Sequence, residues 1–327
     1  MLAYVIRRLL QMIPTLLVIS IVVFVLIQLP PGDVVTSRLA ELEKEGTPVS
    51  QELIATLRAQ FNLDDPMPVQ YLKWIGGVLT GDLGYSFVYS QPVNRLIWER
   101  LGYTVLLALL CILFSWIVAL PIGILSAVKQ YSILDYLSTV VALLGMAVPN
   151  FVLALVLMYL GHEWFGMSVG GLFSPEYVGA PWSAGRFIDL GKHIWIPIVV
   201  IGSAGMAGLM RIMRANLLDE LRKPYVTTAR AKGMVLWKII LKYPVRIAIN
   251  PFVSTVGWML PALFSGAAIT SVVLSLPTTG PMLLVALMNQ DMYLAGSFVL
   301  ILSFLTVVGT LLSDILLAVT DPRIRYE

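Results

Sequence analysis

Nine lysines and arginines lie between Arg211 and Arg246, a stretch of 36 residues that holds only two acidic residues, Asp219 and Glu220. Placing one such cation at the centre of a membrane helix costs about 3 kcal/mol, so the stretch is predicted to lie in water. Its density of positive charge indicates a surface that an outside partner binds. The nine are Arg211, Arg214, Arg222, Lys223, Arg230, Lys232, Lys238, Lys242 and Arg246.

The rest of the sequence holds little that could catalyse a reaction. It contains no Gly-x-x-x-x-Gly-Lys-Ser/Thr phosphate-binding loop, so we expect no ATPase activity in this chain. His162 and His193 have no neighbours at metal-ligand spacing and are expected at a membrane boundary instead. No nucleophile and base are paired within the apolar segments, and Asp314 lies near the end of the last one, which argues against proton coupling. We therefore predict a non-enzymatic chain that holds no cofactor or metal.

The composition indicates a polytopic, all-α membrane protein. Of the 327 residues, 58% are hydrophobic and only 13% are charged, and the mean hydropathy is +0.86. Apolar segments long enough to cross a bilayer recur along the chain. They predict six transmembrane helices, at Leu9 to Leu29, Tyr103 to Val128, Leu137 to Leu160, Ile194 to Met213, Ile247 to Leu276 and Leu294 to Val319.

The distribution of charge predicts which side each loop faces. Loops on the side of the N-terminus carry 14 basic and five acidic residues, whereas the opposite loops carry eight and 13. By the positive-inside rule, both termini and the basic segment 211–246 are expected in the cytoplasm. The predicted domains are residues 1–30 with the first helix, 31–100 as a small extracytoplasmic insert, and 101–327 as a five-helix core that includes the basic segment.

The insert is predicted to contain short helices and turns. Ser50 is a candidate N-cap for a helix that ends at Asp64-Asp65-Pro66, and Trp74 lies in a second amphipathic piece. Gly76-Gly77 and Gly81-Asp82-Leu83-Gly84 are predicted to form turns.

Within the basic segment, Pro224 and Gly233 predict one short helix, Tyr225 to Lys232. Proline suits the first position of a helix, and glycine suits the residue just past its end. A second amphipathic piece follows, in which apolar residues alternate with Lys238 and Lys242. Three partners fit this hairpin from its residues alone: anionic lipid headgroups, a cytoplasmic protein, or nucleic acid, the last disfavoured because aromatic and phosphate-reading residues are lacking.

Thr227-Thr228-Ala229-Arg230-Ala231-Lys232-Gly233 resembles the cytoplasmic coupling motif of permeases in binding-protein-dependent ABC importers. Residues 228–233 match the form common in the dipeptide and oligopeptide branch. Three further stretches resemble that branch in the same order along the chain. They are Tyr4 to Leu10, Gly81-Asp82-Leu83-Gly84 with Ser86, and Asp321 to Tyr326.

The resemblance implies a multi-pass permease subunit in a bacterial inner membrane. It implies a second related permease, two cytoplasmic ATPases that bind ATP and Mg²⁺, an extracytoplasmic solute-binding protein and surrounding membrane lipid, with no nucleic acid. It places contact with the ATPases on Tyr225, Thr227, Thr228, Ala229, Arg230, Ala231, Lys232 and Gly233. Here Thr227 and Thr228 replace the Glu and Ala of the general motif, so another residue must compensate for that carboxylate.

The substrate is left open between oligopeptides and oligosaccharides, because the outer loop from Phe173 to Trp182 is longer than in simple dipeptide carriers. The alternative function is a self-sufficient secondary transporter or channel, which six spans would also permit. Small residues in the fourth span, from Ser203 to Gly208, predict close helix packing. Candidates for lining a substrate path are Asn150, Ser254, Thr255, Ser265 and Thr270, each of which is also suited to bond its own helix backbone.

Overall fold

A computed structural model describes residues 2–29, 64–86, 88–166, 170–255 and 268–320, together with isolated positions between 35 and 58. The chain divides into two units. The first comprises Met1–Val5, Val105–Pro277 and Thr306–Glu327, and the second Ile6–Thr104 and Thr278–Leu305. The predicted helix after Ser50 is described only at Ile54, Ala55 and Arg58, which are helical. The path candidate Ser265 and the terminal motif at 321–326 lie outside the described residues.

The described residues are almost entirely helical. A two-residue antiparallel ladder joins β1 (Tyr85–Ser86) to β2 (Gln91–Pro92). The helices are α1 (Leu2–Gln28), α2 (Met67–Thr80), α3 (Val93–Val128), α4 (Ile133–Ala147), α5 (Asn150–Phe165), α6 (Ala184–Leu221), α7 (Pro224–Ala231), α8 (Leu236–Lys242), α9 (Pro244–Ala248), α10 (Ala268–Val273), α11 (Thr279–Met288) and α12 (Met292–Thr320). A 3₁₀ turn covers Pro175–Tyr177.

Four helices in the described ranges are long and apolar enough to cross a membrane, namely Ile6–Leu26, Val93–Val128, Ala184–Leu221 and Tyr293–Val319. The third predicted span is not one straight helix, because α4 and α5 meet at an angle of 102°. Pro149 has no amide hydrogen and disfavours helical geometry in the residue before it, and Val148 is accordingly extended, with ψ 122°. Counted as one broken span, this pair makes five candidates. The fifth predicted span includes residues 256–267, which the structure does not describe.

α6 is much longer than the fourth predicted span. It begins after Ser183, whose hydroxyl oxygen accepts a hydrogen bond from the amide of Arg186, and it continues to Leu221. His193, predicted at the end of a loop, therefore lies inside the helix. The first part of the basic segment, including Arg211 and Arg214, continues α6 rather than forming a separate loop.

In the second unit, α2 packs on α1 through polar and aromatic contacts. The Ser20 and Tyr71 hydroxyl oxygens lie 2.8 Å apart, and the Phe24 ring lies 5.5 Å from that of Tyr71 and 5.8 Å from that of Trp74 between centroids. The amphipathic piece predicted around Trp74 is confirmed.

The turn predicted at Gly76-Gly77 was wrong, because both residues lie within α2. Gly81, with φ 86°, ends the helix instead. Gly77 has a different role, since a Cβ there would lie 2.9 Å from the carbonyl oxygen of Asp82 where the chain folds back.

Small residues let α6 approach α3 closely. Such contacts lie at Gly123 and Gly202, which were not among the predicted small residues. A Cβ on Gly123 would lie 2.8 Å from Cβ of Met213 and 3.0 Å from the carbonyl oxygen of Met210. A Cβ on Gly202 would lie 2.8 Å from the Phe114 ring. Among the predicted small residues, Ser203 and Ala207 are buried, whereas Ala204 is exposed and Gly208 has open space around it.

We predict that Gly123→Ala lowers the free energy of unfolding by about 1–3 kcal/mol, because the added methyl group overpacks the contact with α6. The melting temperature should fall accordingly. Gly208→Ala is the matched control, since its methyl group enters open space and improves helix propensity. Melting temperatures of the purified variants in detergent measure the difference. Equal melting temperatures would show that α3 and α6 do not approach closely at Gly123.

Candidate functional site

The short helix α7 has both ends fixed by its own sequence. Pro224 begins it, where a missing amide hydrogen is harmless. Past its end, Gly233 adopts φ 72°, its amide donates to the carbonyl of Arg230 at 2.9 Å, and the amide of Met234 donates to the carbonyl of Ala229 at 3.3 Å. This pair of bonds is a Schellman motif, which needs a left-handed residue that glycine supplies without strain. The proline and glycine boundaries predicted from sequence are confirmed.

One face of α7 packs against α8. Val226 and Ala229 are buried together with Ile239 of α8, and the partly buried Tyr225, Met234 and Tyr243 surround them. The rings of Tyr225 and Tyr243 have centroids 6.3 Å apart. α7 and α8 therefore form a helical hairpin with its own small apolar core.

The other face of α7 is open. Of the eight residues predicted to contact an ATPase, six are exposed in this chain, whereas Tyr225 is half-buried and Ala229 is buried in the hairpin core. The hydroxyl of Thr228 donates to the carbonyl of Pro224 at 3.0 Å, so it is already bonded within the helix. The exposed six are Thr227, Thr228, Arg230, Ala231, Lys232 and Gly233.

A side-chain hydrogen bond joins α7 to the end of α6. The hydroxyl of Tyr225 donates to Oε2 of Glu220 at 2.6 Å. Burial, and secondarily the Glu220 carboxylate, raise the pKa of Tyr225, so the phenol keeps its proton at neutral pH. Glu220 thus brings a carboxylate to the start of α7 from outside the motif. This pairing was not predicted from sequence, where Glu220 is only one of the two acidic residues in the basic segment.

Nearly two turns of helix before Glu220, an ion pair with a buried carboxylate holds α6. The guanidinium of Arg214 donates two hydrogen bonds to the carboxylate of Asp135 in α4, from Nε to Oδ1 at 2.7 Å and from Nη2 to Oδ2 at 2.8 Å. The Asp135 carboxylate also accepts from the Ser126 hydroxyl of α3 and from the Tyr131 amide at 2.9 Å. The Asp135 side chain is 5% exposed, and that of Arg214 is 30% exposed.

These contacts form a connected series along α6. Arg214 and Glu220 are six residues apart, a rise of about 9 Å along a helix. Tyr225 and Glu220 thus link α7 to α6, and Arg214 and Asp135 link α6 to α4 and, through Ser126, to α3. Asp135 was missed as a functional residue because its partner lies 79 residues away.

In the second unit, the glycine motif at residues 81–84 packs onto the start of α12. The hydroxyl of Ser86 donates to Oδ2 of Asp291 at 2.5 Å, and the amide of Leu294 donates to Oδ1 at 3.2 Å, so the buried Asp291 both caps α12 and holds the motif. Gly84 lies against the ring of Tyr293, where a Cβ would overlap it. The motif therefore packs against the start of α12, where Gly84 leaves room for the Tyr293 ring and Ser86 bonds Asp291.

The loop from Phe173 to Trp182, predicted to be an outer loop, is also held by a buried acid. Asp189 of α6 accepts hydrogen bonds from the amide and the hydroxyl of Ser174, both at 2.7 Å. The guanidinium carbon of Arg186 lies 4.7 Å from the ring centroid of Phe173 and 4.4 Å from that of Trp182. The loop from Phe173 to Trp182 therefore folds back on the first turns of α6.

Four of the five predicted path-lining residues lie in described helices. Ser254 and Thr255 donate to the backbone carbonyls of Asn250 and Phe252, as serine and threonine in helices often do. Thr270 is buried in α10, and Asn150 is half-buried at the start of α5. Lining of a substrate path by these residues stays a prediction, and Ser265 lies outside the described residues.

The histidines lie in helices. Nδ1 of His193 lies 2.8 Å from the carbonyl oxygen of Asp189, within α6, and His162 lies in the last turn of α5. Within the part of the chain that the structure describes, no three His, Cys, Asp or Glu residues cluster as metal ligands.

Comparison with known proteins gives full-length matches. Residues 119–326 match the family described as binding-protein-dependent transport system inner membrane component, and residues 1–108 match the corresponding N-terminal family. The oligopeptide transport system permease protein AppB of Bacillus subtilis is 35% identical over 330 residues, covering 100% of both chains. The dipeptide transport system permease protein DppB of Escherichia coli is 33% identical over 343 residues, with the same coverage. The oligopeptide transport system permease protein OppB of Haemophilus influenzae is 30% identical over 328 residues, again covering 100% of both chains.

Removing either member of the Arg214–Asp135 pair is predicted to destabilise the protein, and loss of Arg214 is predicted to cost more than loss of Asp135. Arg214→Gln leaves a nearly inaccessible carboxylate without its cation and is expected to cost about 3 kcal/mol or more. Asp135→Asn is expected to cost less, because the Arg214 side chain is 30% exposed and can be hydrated.

Thermal unfolding of both single variants and of the double variant in detergent measures these costs. The double variant is expected to lose less stability than the sum of the single losses, as for directly interacting residues. Additive losses would contradict a direct interaction.

Proposed function

This chain belongs to the family of binding-protein-dependent transport system inner membrane components, and we propose that it carries oligopeptides across the bacterial inner membrane as one permease of an ABC importer. As a permease component it is a transport subunit rather than an enzyme. The sequence contains no phosphate-binding loop, so ATP and Mg²⁺ belong to partner subunits. Full-length similarity to dipeptide and oligopeptide permeases supports peptides as the substrate class.

The observation that carries the mechanism is the geometry of α7. A helix of eight residues, fixed by Pro224 at one end and a Schellman motif at the other, packs one face on α8 and leaves the other open. Such a helix presents a rigid surface, which is what a coupling element requires. We assign the contact with a cytoplasmic ATPase to its exposed residues, and we assign packing roles to Tyr225 and Ala229.

Coupling follows from the contacts at the start of α7. ATP binding closes the ATPase pair, which displaces α7, and the hydrogen bond from Tyr225 to Glu220 carries the displacement to α6. Arg214 and Asp135 then move α4 and α3 together with α6. The bias comes from the higher affinity of ATP for the closed state, since a ligand shifts an equilibrium only by its differential affinity.

The remaining architecture completes the proposal. We propose six spans, with both termini and the α7–α8 hairpin in the cytoplasm, and the positive charge of these segments supports this topology. A second related permease encloses the path with this chain, and two ATPases dock below the pair. A solute-binding protein delivers the peptide to the outer loops, among which the glycine motif held by Asp291 and the loop held by Asp189 are firmly anchored.

The first test is uptake by reconstituted vesicles. We expect labelled oligopeptide to accumulate only when this chain is combined with its partner permease, both ATPases, the binding protein and ATP. Unlabelled oligopeptide should compete and oligosaccharide should not. Accumulation by the purified chain alone, without ATP, would instead establish a secondary transporter or channel.

The second test is strain at the end of α7. Gly233→Val is expected to lower uptake roughly tenfold while ATP hydrolysis continues, because the left-handed backbone costs a branched residue about 1–2 kcal/mol or more. A Cβ at Gly233 meets open space, so the effect is due to the backbone and not to a clash.

Gly233→Asn is the control, since asparagine tolerates the left-handed region. It should retain most uptake. Equal uptake by the valine and asparagine variants would contradict a need for the Schellman motif in coupling.

A further inference from the structure

The second helix of the hairpin, α8, has a surface unlike that of α7. Ile239 and Ile240 are its buried residues, at 0% and 1% exposure. On its outer side, Trp237 and Leu241 are 42% and 58% exposed. Residues four apart lie on one side of a helix, so these two form an apolar row.

A basic row runs beside the apolar row. Lys238 and Lys242, also four residues apart, are both exposed. At 100° per residue, each lysine follows its apolar neighbour around the helix, which places the two rows next to each other on the outer side. Val235, just before the helix, is 71% exposed and adds to the apolar surface.

Apolar and basic rows side by side match a membrane surface. A helix lying in the interface buries apolar side chains at the acyl boundary, and its cations contact anionic headgroups. Tryptophan is enriched at that depth. The exposed face of α7 has no such apolar row, since threonine, alanine, arginine and lysine make up most of it.

The position of α8 in the chain agrees with this match. Only Tyr243 separates it from α9, which begins at Pro244 and leads directly into the apolar segment from Ile247 onward. Arg246 adds a third exposed cation one turn further on. α8 is therefore joined through a few residues to a segment expected in the bilayer.

We infer that α8 binds anionic lipid headgroups at the cytoplasmic membrane surface through Lys238 and Lys242, with Trp237 and Leu241 inserted beside them. The hairpin thus divides its two faces between two partners, protein on α7 and lipid on α8. This inference rests on the cytoplasmic placement of the hairpin in the proposed function. Because α7 packs on α8, anchoring α8 in the interface also fixes the height at which α7 meets an ATPase.

The test places a fluorescent label on each helix of the full chain. Leu241→Cys on α8 and Thr228→Cys on α7 are labelled with an environment-sensitive dye, since Cys111 is fully buried. Each protein is placed in nanodiscs of phosphatidylcholine containing a nitroxide-labelled lipid with the nitroxide near the headgroups, with increasing phosphatidylglycerol. We expect strong quenching at residue 241 that increases with phosphatidylglycerol, and little quenching at residue 228.

Lysine variants test the charge. In the Leu241→Cys background, K238Q/K242Q is expected to lower the equilibrium constant for headgroup contact by about fivefold for each lysine removed, and so to raise the phosphatidylglycerol fraction needed for half-maximal quenching. R222Q/K223Q removes two exposed cations outside α8 and should leave that fraction unchanged. Added salt should weaken the dependence, because it screens exposed charges.

Equal quenching at residues 228 and 241, or quenching that is unaffected by K238Q/K242Q, would overturn the inference. If the label at residue 241 becomes buried only after an ATPase subunit is added, α8 belongs to a protein interface. That result would also overturn the inference that α8 binds lipid. The measurement needs neither ATP nor uptake. Failure of the proposed transport function would therefore leave the quenching result interpretable, and loss of quenching would not affect the uptake result.

Discussion

The ion pair between Arg214 and Asp135 is the constraint on which the rest of the first unit depends. It is bidentate, and the carboxylate also accepts hydrogen bonds from Ser126 and from the backbone of Tyr131. A buried carboxylate is stable only when its charge and lone pairs are satisfied, and here three separate parts of the chain satisfy them. α3, the turn after it, α4 and α6 are therefore fixed relative to one another near the start of the basic segment 211–246.

From that point the hairpin extends as a unit. Tyr225 bonds Glu220 at the end of α6, and the buried trio of Val226, Ala229 and Ile239 holds α7 against α8. The two helices then differ in what they expose, polar and small on α7, apolar and basic on α8. The residues of the hairpin alone permit both a protein partner and a lipid surface. Our proposals assign the protein partner to α7 and the lipid surface to α8.

Local sequence signals predicted local structure well. Pro224 and Gly233 located α7 because each determines its own backbone geometry, and hydropathy located the long helices. The break at Pro149 was missed because apolar residues continue across it, and Gly76-Gly77 was misassigned because the glycine there serves a close contact inside a helix. The contacts of Asp135, Asp189 and Asp291 were not predictable, since each joins positions whose proximity only the folded chain defines.

Site-specific cross-linking in the assembled transporter measures whether the exposed face of α7 contacts an ATPase. Cysteine at Thr227 or Ala231 would be paired with cysteines in the partner's groove, and cysteine at Ala229 serves as the comparison because that residue is 6% exposed and faces α8. If α7 contacts an ATPase, residues 227 and 231 form cross-links whose yield changes when ATP binds, and residue 229 forms none. Cross-links from α8 to the ATPase, with none from residues 227 and 231, would show that α7 does not contact the ATPase.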